Sequence, residues 1–133
     1  MQRWLIRGAV LAVVHATANV VVSLLRVKDP TGQTTVSALT LGLLAGIAAV
    51  WAATDTWRSV PDRGRTWVIA SLIAGWGSAV LGVIGRAAFV DATSTSALGS
   101  ALTGGAAFTA LLVLIPAALG LLTGPYLTRS PTR

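Results

Sequence analysis

The chain reads as an all-α integral membrane protein, a bundle of four transmembrane helices formed by a single domain, residues 1–133, with both termini in the cytoplasm. Three observations lead there. Hydrophobic residues make up 54% of the sequence and charged residues 11%, against about a quarter charged in ordinary soluble domains. A small soluble domain has much surface per unit volume and needs polar residues to cover it. The third observation is that the charges fall between long apolar runs.

Crossing a bilayer core of about 30 Å takes about 20 mostly apolar helical residues. Four runs have that character: 5–25, broken only by Arg7 near its start, then 36–53, 67–84 and 102–122. Valine and isoleucine are frequent, but runs of 18 to 21 residues are too long for ordinary strands, so the helix is the better reading. Loop residues separate the runs: Asp29-Pro30-Thr31-Gly32, Pro61-Asp62-Arg63-Gly64, and the Ser/Thr-rich stretch 91–100. A cleaved signal peptide, with Ala16-Thr17-Ala18 as the cut, fits less well. The apolar run continues past that point to Leu25.

Orientation follows from the basic residues. Arg3, Arg7, Arg58, Arg63, Arg65, Arg129 and Arg133 lie on one side of the four spans, and Arg26, Lys28 and Arg86 on the other. The positive-inside bias puts the first group, and with it both termini and the middle loop, in the cytoplasm. Trp4, Trp57 and Trp67 fall at that same boundary, where indole rings favour the headgroup region. Arg58, Arg63 and Arg65 are expected to meet anionic lipid headgroups.

The composition also excludes. Ten Lys plus Arg against four Asp give a net charge of +6, but the basic residues are dispersed and form no nucleic-acid patch. With no cysteine and one histidine, no metal centre, haem or other cofactor is expected. There is no phosphate-binding glycine loop and no catalytic carboxylate pair, so an enzyme is not expected.

Within the spans, helices in lipid associate through close packing and hydrogen bonds rather than apolar burial. Ser71, Gly75, Ser78, Gly82 and Gly85 step along the third run at three- and four-residue intervals, which predicts a packing groove. Gly42 with Gly46 and Gly120 with Gly124 offer the same spacing on the second and fourth runs. Packing within one bundle is the plainer reading of these pairs, and a dimer face on the third or fourth helix the sharper one. Pro116 predicts a kink, and Gly104-Gly105 a local unwinding of the fourth helix.

The first run carries a polar stripe, His15, Asn19 and Ser23, continued by Arg26. His15 stands near mid-membrane, where histidine is expected as a proton carrier or cation-site ligand. The blander expectation is a neutral ring hydrogen-bonded to a Ser or Thr of a neighbouring helix. At the other end Arg7 and Asp55 lie at similar depth if the first two helices are antiparallel neighbours, and are expected to pair.

Three segments together resemble the bacterial four-helix family named drug/metabolite transporter-like. They are Trp4-Leu5-Ile6-Arg7-Gly8-Ala9-Val10; Ala49-Val50-Trp51 with Asp55 and Arg58 following; and Leu102-Thr103-Gly104-Gly105-Ala106-Ala107-Phe108-Thr109-Ala110-Leu111-Leu112-Val113 with Pro116 after it. The resemblance covers nearly the whole chain, and the third segment is its most specific part. It implies a small inner-membrane transport protein. Small multidrug exporters use a membrane-embedded glutamate, and this sequence has no glutamate, so carboxylate-driven cation export is not implied.

Two roles follow as expectations. One is a transporter acting as a homo-oligomer, with His15, Asn19 and Ser23 lining its route. The other is an accessory subunit of a larger membrane complex, with its Gly75 and Gly82 face buried against the partner.

Overall fold

The computed structural model describes residues 3–28, 31–90 and 97–127. These are all-helical: α1 (Arg3–Lys28), α2 (Gln33–Trp57), α3 (Arg63–Phe89), then α4 (Ala97–Ser100), a π-helical turn (Ala101–Gly105) and α5 (Ala106–Leu127). The last three form one continuous span, so four helical spans are long and apolar enough to cross a membrane.

Each helix outruns its apolar stretch. The runs 5–25, 36–53, 67–84 and 102–122 mark only the most hydrophobic part of longer helices, because hydropathy ends where polar residues begin while the backbone hydrogen-bond ladder does not. Arg63 and Gly64, expected in a loop, are the first residues of α3. The turn before them is tight. Val60 N–H donates to Asp55 O at 3.1 Å and Thr66 N–H to Asp62 O at 2.9 Å, with Ser59 and Asp62 at φ of 49° and 51°. Asp29, Pro30, residues 91–96, Arg129 and Arg133 lie outside the described residues.

The packing order is not the chain order. α1 lies chiefly against α3, α2 against α5, and α3 against α5, while the consecutive helices α1 and α2 touch only sparsely. The expectation of α1 and α2 as packed neighbours is therefore corrected. Small residues explain the preference. A Cβ on Gly8 would meet Ile73, one on Gly77 would meet Ala12, and one on Gly85 would meet Val20. These pairs share a constant offset of 65 residues, so α1 and α3 run parallel and in register. Gly120 lies against the Ala49 backbone and Gly124 against Thr56, which locks α5 to α2.

The stripe expected on α3 serves two neighbours rather than one groove. Gly75 faces the Ala106 carbonyl and Ala110 of α5, and Gly85 faces α1. Ser71 and Ser78 are buried, but their hydroxyls donate back to Val68 O at 2.8 Å and Gly75 O at 3.0 Å. Such back-bonding satisfies the hydroxyl within its own helix, so backbone proximity rather than serine bridges holds these helices. Gly42 and Gly46 behave differently: nothing lies within 4 Å of a Cβ on either.

At Gly104-Gly105 the chain does not unwind. It widens into the π-helical turn and remains helical, with Ala106 N–H directed at Ala101 O and Thr103 O. α5 then continues as a helix through Pro116.

The core is thin: Leu11, Ala48, Ala52, Trp67, Ala74, Val113 and Ala117. The outside is apolar, with Leu39, Leu43, Val50, Trp76, Ile115 and Leu119 all more than half exposed. Only 22–39% of the most apolar window of each span is buried inside the bundle.

Candidate functional site

Helical periodicity puts His15 and Asn19 on one face of α1. In the structure His15 is 2% exposed, and its Nδ1 lies 2.8 Å from Leu11 O. A carbonyl oxygen only accepts, so Nδ1 must carry hydrogen and, in a neutral ring, Nε2 presents a bare lone pair. Nε2 is buried and has no hydrogen-bond partner. The expected bond to a Ser or Thr of another helix is absent because the ring turns back to its own helix.

His15 borders a cleft of about 280 Å³. All four spans contribute: Asn19 from α1, Leu41 and Leu44 from α2, Ser78 and Arg86 from α3, Ser100 and Gly105 at the π-helical turn, and Phe108 and Thr109 from α5. The π-helical turn gives the fourth span a wider register there, a feature that recurs at functional sites. Ser23, expected on the same route, is not part of the wall. Its hydroxyl donates to Asn19 O at 2.8 Å. Arg26 Nη2 reaches Ser37 Oγ at 3.5 Å on the α1–α2 side.

Arg86 is the wall residue that sequence reasoning missed, having been counted as a loop charge. Its Nη1 lies 3.9 Å from where a Cβ on Gly82 would stand, and no other group comes within 4 Å of that point. Gly82 is therefore not the interhelical contact expected of it, but the place where the Arg86 side chain lies back along its own helix. The spacing of Gly82 to Arg86, one helical turn, was the available signal. In the α1–α3 register, His15 is level with a point between Ser78 and Gly82. The guanidinium thus lies within about one helical turn of His15 in depth.

The opposite end of the bundle holds a buried charge cluster. Arg7 Nη2 donates to Asp55 Oδ1 at 2.6 Å, and Trp67 Nε1 donates to Asp55 Oδ2 at 2.9 Å. Arg7 and Asp55 are 8% and 3% exposed. The Arg7 guanidinium carbon stands 5.9 Å from the Trp51 ring centroid, within cation–π range, and Trp51 meets Trp67 edge-on. Trp67 is 1% exposed, so it is a core residue and not the headgroup anchor expected of it. Burying the indole removes its N–H from water, and Asp55 supplies the acceptor that the N–H then needs. Trp57 is half exposed and donates to Gly124 O at 3.2 Å, tying the ends of α2 and α5.

No protein-family model matches the chain, and no curated protein matches it.

Proposed function

We propose that the chain is a small, non-enzymatic transport protein of the bacterial inner membrane, of the drug/metabolite transporter-like kind, acting as an oligomer. Both termini and the α2–α3 loop face the cytoplasm, and Arg58, Arg63 and Arg65 meet anionic headgroups there. The apolar exterior supports the membrane setting, since a contiguous patch of that size on a soluble monomer is an aggregation hazard. The observation that carries the transport reading is the cleft. It runs from the Arg86 half of the bundle down to His15, whose buried Nε2 has no hydrogen-bond partner, while Arg7 and Trp67 both bond to Asp55 at the other end. A cleft reaching a mid-membrane residue, with a hydrogen-bonded charge cluster in the other half of the bundle, is compatible with alternating access around a fixed site.

The sequence lacks cysteine, so single cysteines report water access without background. In intact cells Ser100→Cys, on the cleft wall, should react with a membrane-impermeant thiol reagent. Leu111→Cys, on the exposed apolar face of α5, should not. Equal protection of both residues removes the transport reading.

One observation favours the second reading, an accessory subunit. The Gly42–Gly46 face of α2 has no neighbour within 4 Å of either glycine, and Leu43, Ile47 and Val50 flank it in the open. Such a surface suits a close-packed helix from another chain. The Gly75 and Gly82 face first expected to do this is inside the bundle. Crosslinking from Gly46→Cys in native membranes separates a second copy from a larger partner by mass.

A further inference from the structure

The wall of the cleft is specific enough to name a class of solute. We propose that it binds a small oxyanion, held by the Arg86 guanidinium and the Asn19 amide, with one proton shared between an anion oxygen and His15 Nε2. This deepens the transport reading and rests on the cleft being the working site.

Sign comes first. Among the described residues, Arg86 is the one charged side chain on the wall, and none of them brings a carboxylate there. Among the described residues the one ion pair is Arg7–Asp55, at the other end of the bundle. A cation entering would meet repulsion from Arg86, whereas an oxyanion meets a planar fork of donors suited to it. An arginine near a span end usually reaches outward to headgroup water. Here Gly82 lets it lie inward, where a bound anion would offset the cost of its desolvation.

Size comes second. A cleft of about 280 Å³ is smaller than the roughly 300–1,000 Å³ of drug-sized pockets. It suits a tetrahedral or carboxylate anion with several waters, each taking about 30 Å³.

The proton follows from donor and acceptor arithmetic. Leu11 O occupies the Nδ1–H, so neutral His15 offers only an acceptor to the cleft. An oxyanion is also an acceptor. Two acceptors meet only if a proton lies between them, brought by the solute as its own acid or taken from water onto Nε2. Either way the complex holds one proton more than neutral histidine plus bare anion. Among the described residues, Arg86 from α3 is the charged group on this wall, and α2 and the fourth span bring none. Phosphate in a lipid headgroup and a free oxyanion share this chemistry, and the test separates them.

His15 is the sole histidine, so histidine-specific ¹⁵N labelling yields the two nitrogen signals of that ring alone. The full chain in a non-ionic, phosphate-free detergent is titrated with sulfate, which carries no titratable proton near neutrality, and with chloride as the control. The expected result is a saturable shift of Nε2, with Nδ1 moving less. The half-saturating sulfate concentration should fall as pH falls, by up to about tenfold per pH unit, the limit for one proton. By calorimetry Arg86→Gln should weaken sulfate binding by roughly tenfold or more, and Arg86→Lys by less. His15→Gln, which donates without taking up a proton, should bind with the pH dependence gone. In phospholipid nanodiscs without sulfate, Nε2 already at its bound position identifies a headgroup as occupant, and Nε2 at its free position identifies a soluble anion.

No saturable shift in detergent or nanodisc, an equal response to chloride, or a wild-type affinity flat with pH overturns the proposal. So does an Arg86→Gln affinity equal to wild type, and the wild-type titration alone decides should that variant fail to fold. Sulfate that binds but is never carried across vesicles overturns transport and leaves the site. His15-dependent flux of a cation with no sulfate binding overturns the site and leaves transport.

Discussion

Arg7 and Asp55 join α1 to α2 through a buried 2.6 Å ion pair, although those two helices otherwise have little contact. The pair and Trp67 hold that end of the bundle together, and the cleft lies in the other half. Stability and access are therefore tied to different groups of residues, which makes them separable by mutation.

Removing one partner of a buried pair leaves the other charge unmatched, at a typical cost of about 3–5 kcal/mol. Asp55→Ala should lower stability on that scale, because the Trp67 N–H also loses its acceptor. Asp55→Asn, which keeps an oxygen for Trp67, should cost less. The double variant Arg7→Met/Asp55→Leu should recover much of the loss. Thermal unfolding in detergent, followed by tryptophan fluorescence, measures all three.

The glycines divide into two groups. Gly75→Ala and Gly120→Ala each drive a methyl group into a backbone carbonyl, of Ala106 and Ala49, and overpacking of this kind costs about 1–3 kcal/mol. Gly42→Ala and Gly46→Ala meet open space and should leave the unfolding midpoint unchanged or slightly raised. If the α2 face carries a partner, those same two variants weaken crosslinking through it while the fold is untouched.

Much of this was legible in the sequence, for identifiable reasons. Four apolar runs announce four spans, and two charges of opposite sign near the ends of the first two runs announce their pairing. Trp67 was misread because an indole at the start of a run looks the same whether it turns to lipid or to the core. The ion pair was expected from α1 and α2 as packed neighbours, whereas the glycine pattern assigns α1 to α3. His15 stood out by depth, but its surroundings did not. The cleft depends on Arg86 lying back over Gly82 and on a one-residue widening of the fourth helix, both decided by packing between helices.

That widening is testable by deletion. Removing Gly104 should return the π-helical turn to α-helix and rotate the residues before it by about 100° about the axis, carrying Ser100 off the cleft wall. Binding in the cleft should fall while the Arg7–Asp55 end keeps its thermal stability. Unaltered binding would mean that the turn has no part in shaping the site.

The charge distribution predicts the sidedness. Ser59→Cys, in the α2–α3 loop, should react with an impermeant thiol reagent only after the cells are opened, and Gly32→Cys, just before α2, should react in intact cells. The reverse pattern would invert the chain in the membrane and put the cleft on the cytoplasmic side.

The most direct test is the reactivity of Asn19→Cys, one turn from His15 on α1. An impermeant reagent applied to intact cells should label it. Protection of Asn19→Cys from both sides of the membrane, with Ser59→Cys still reactive after permeabilisation, would mean that no water reaches His15 and would contradict the account.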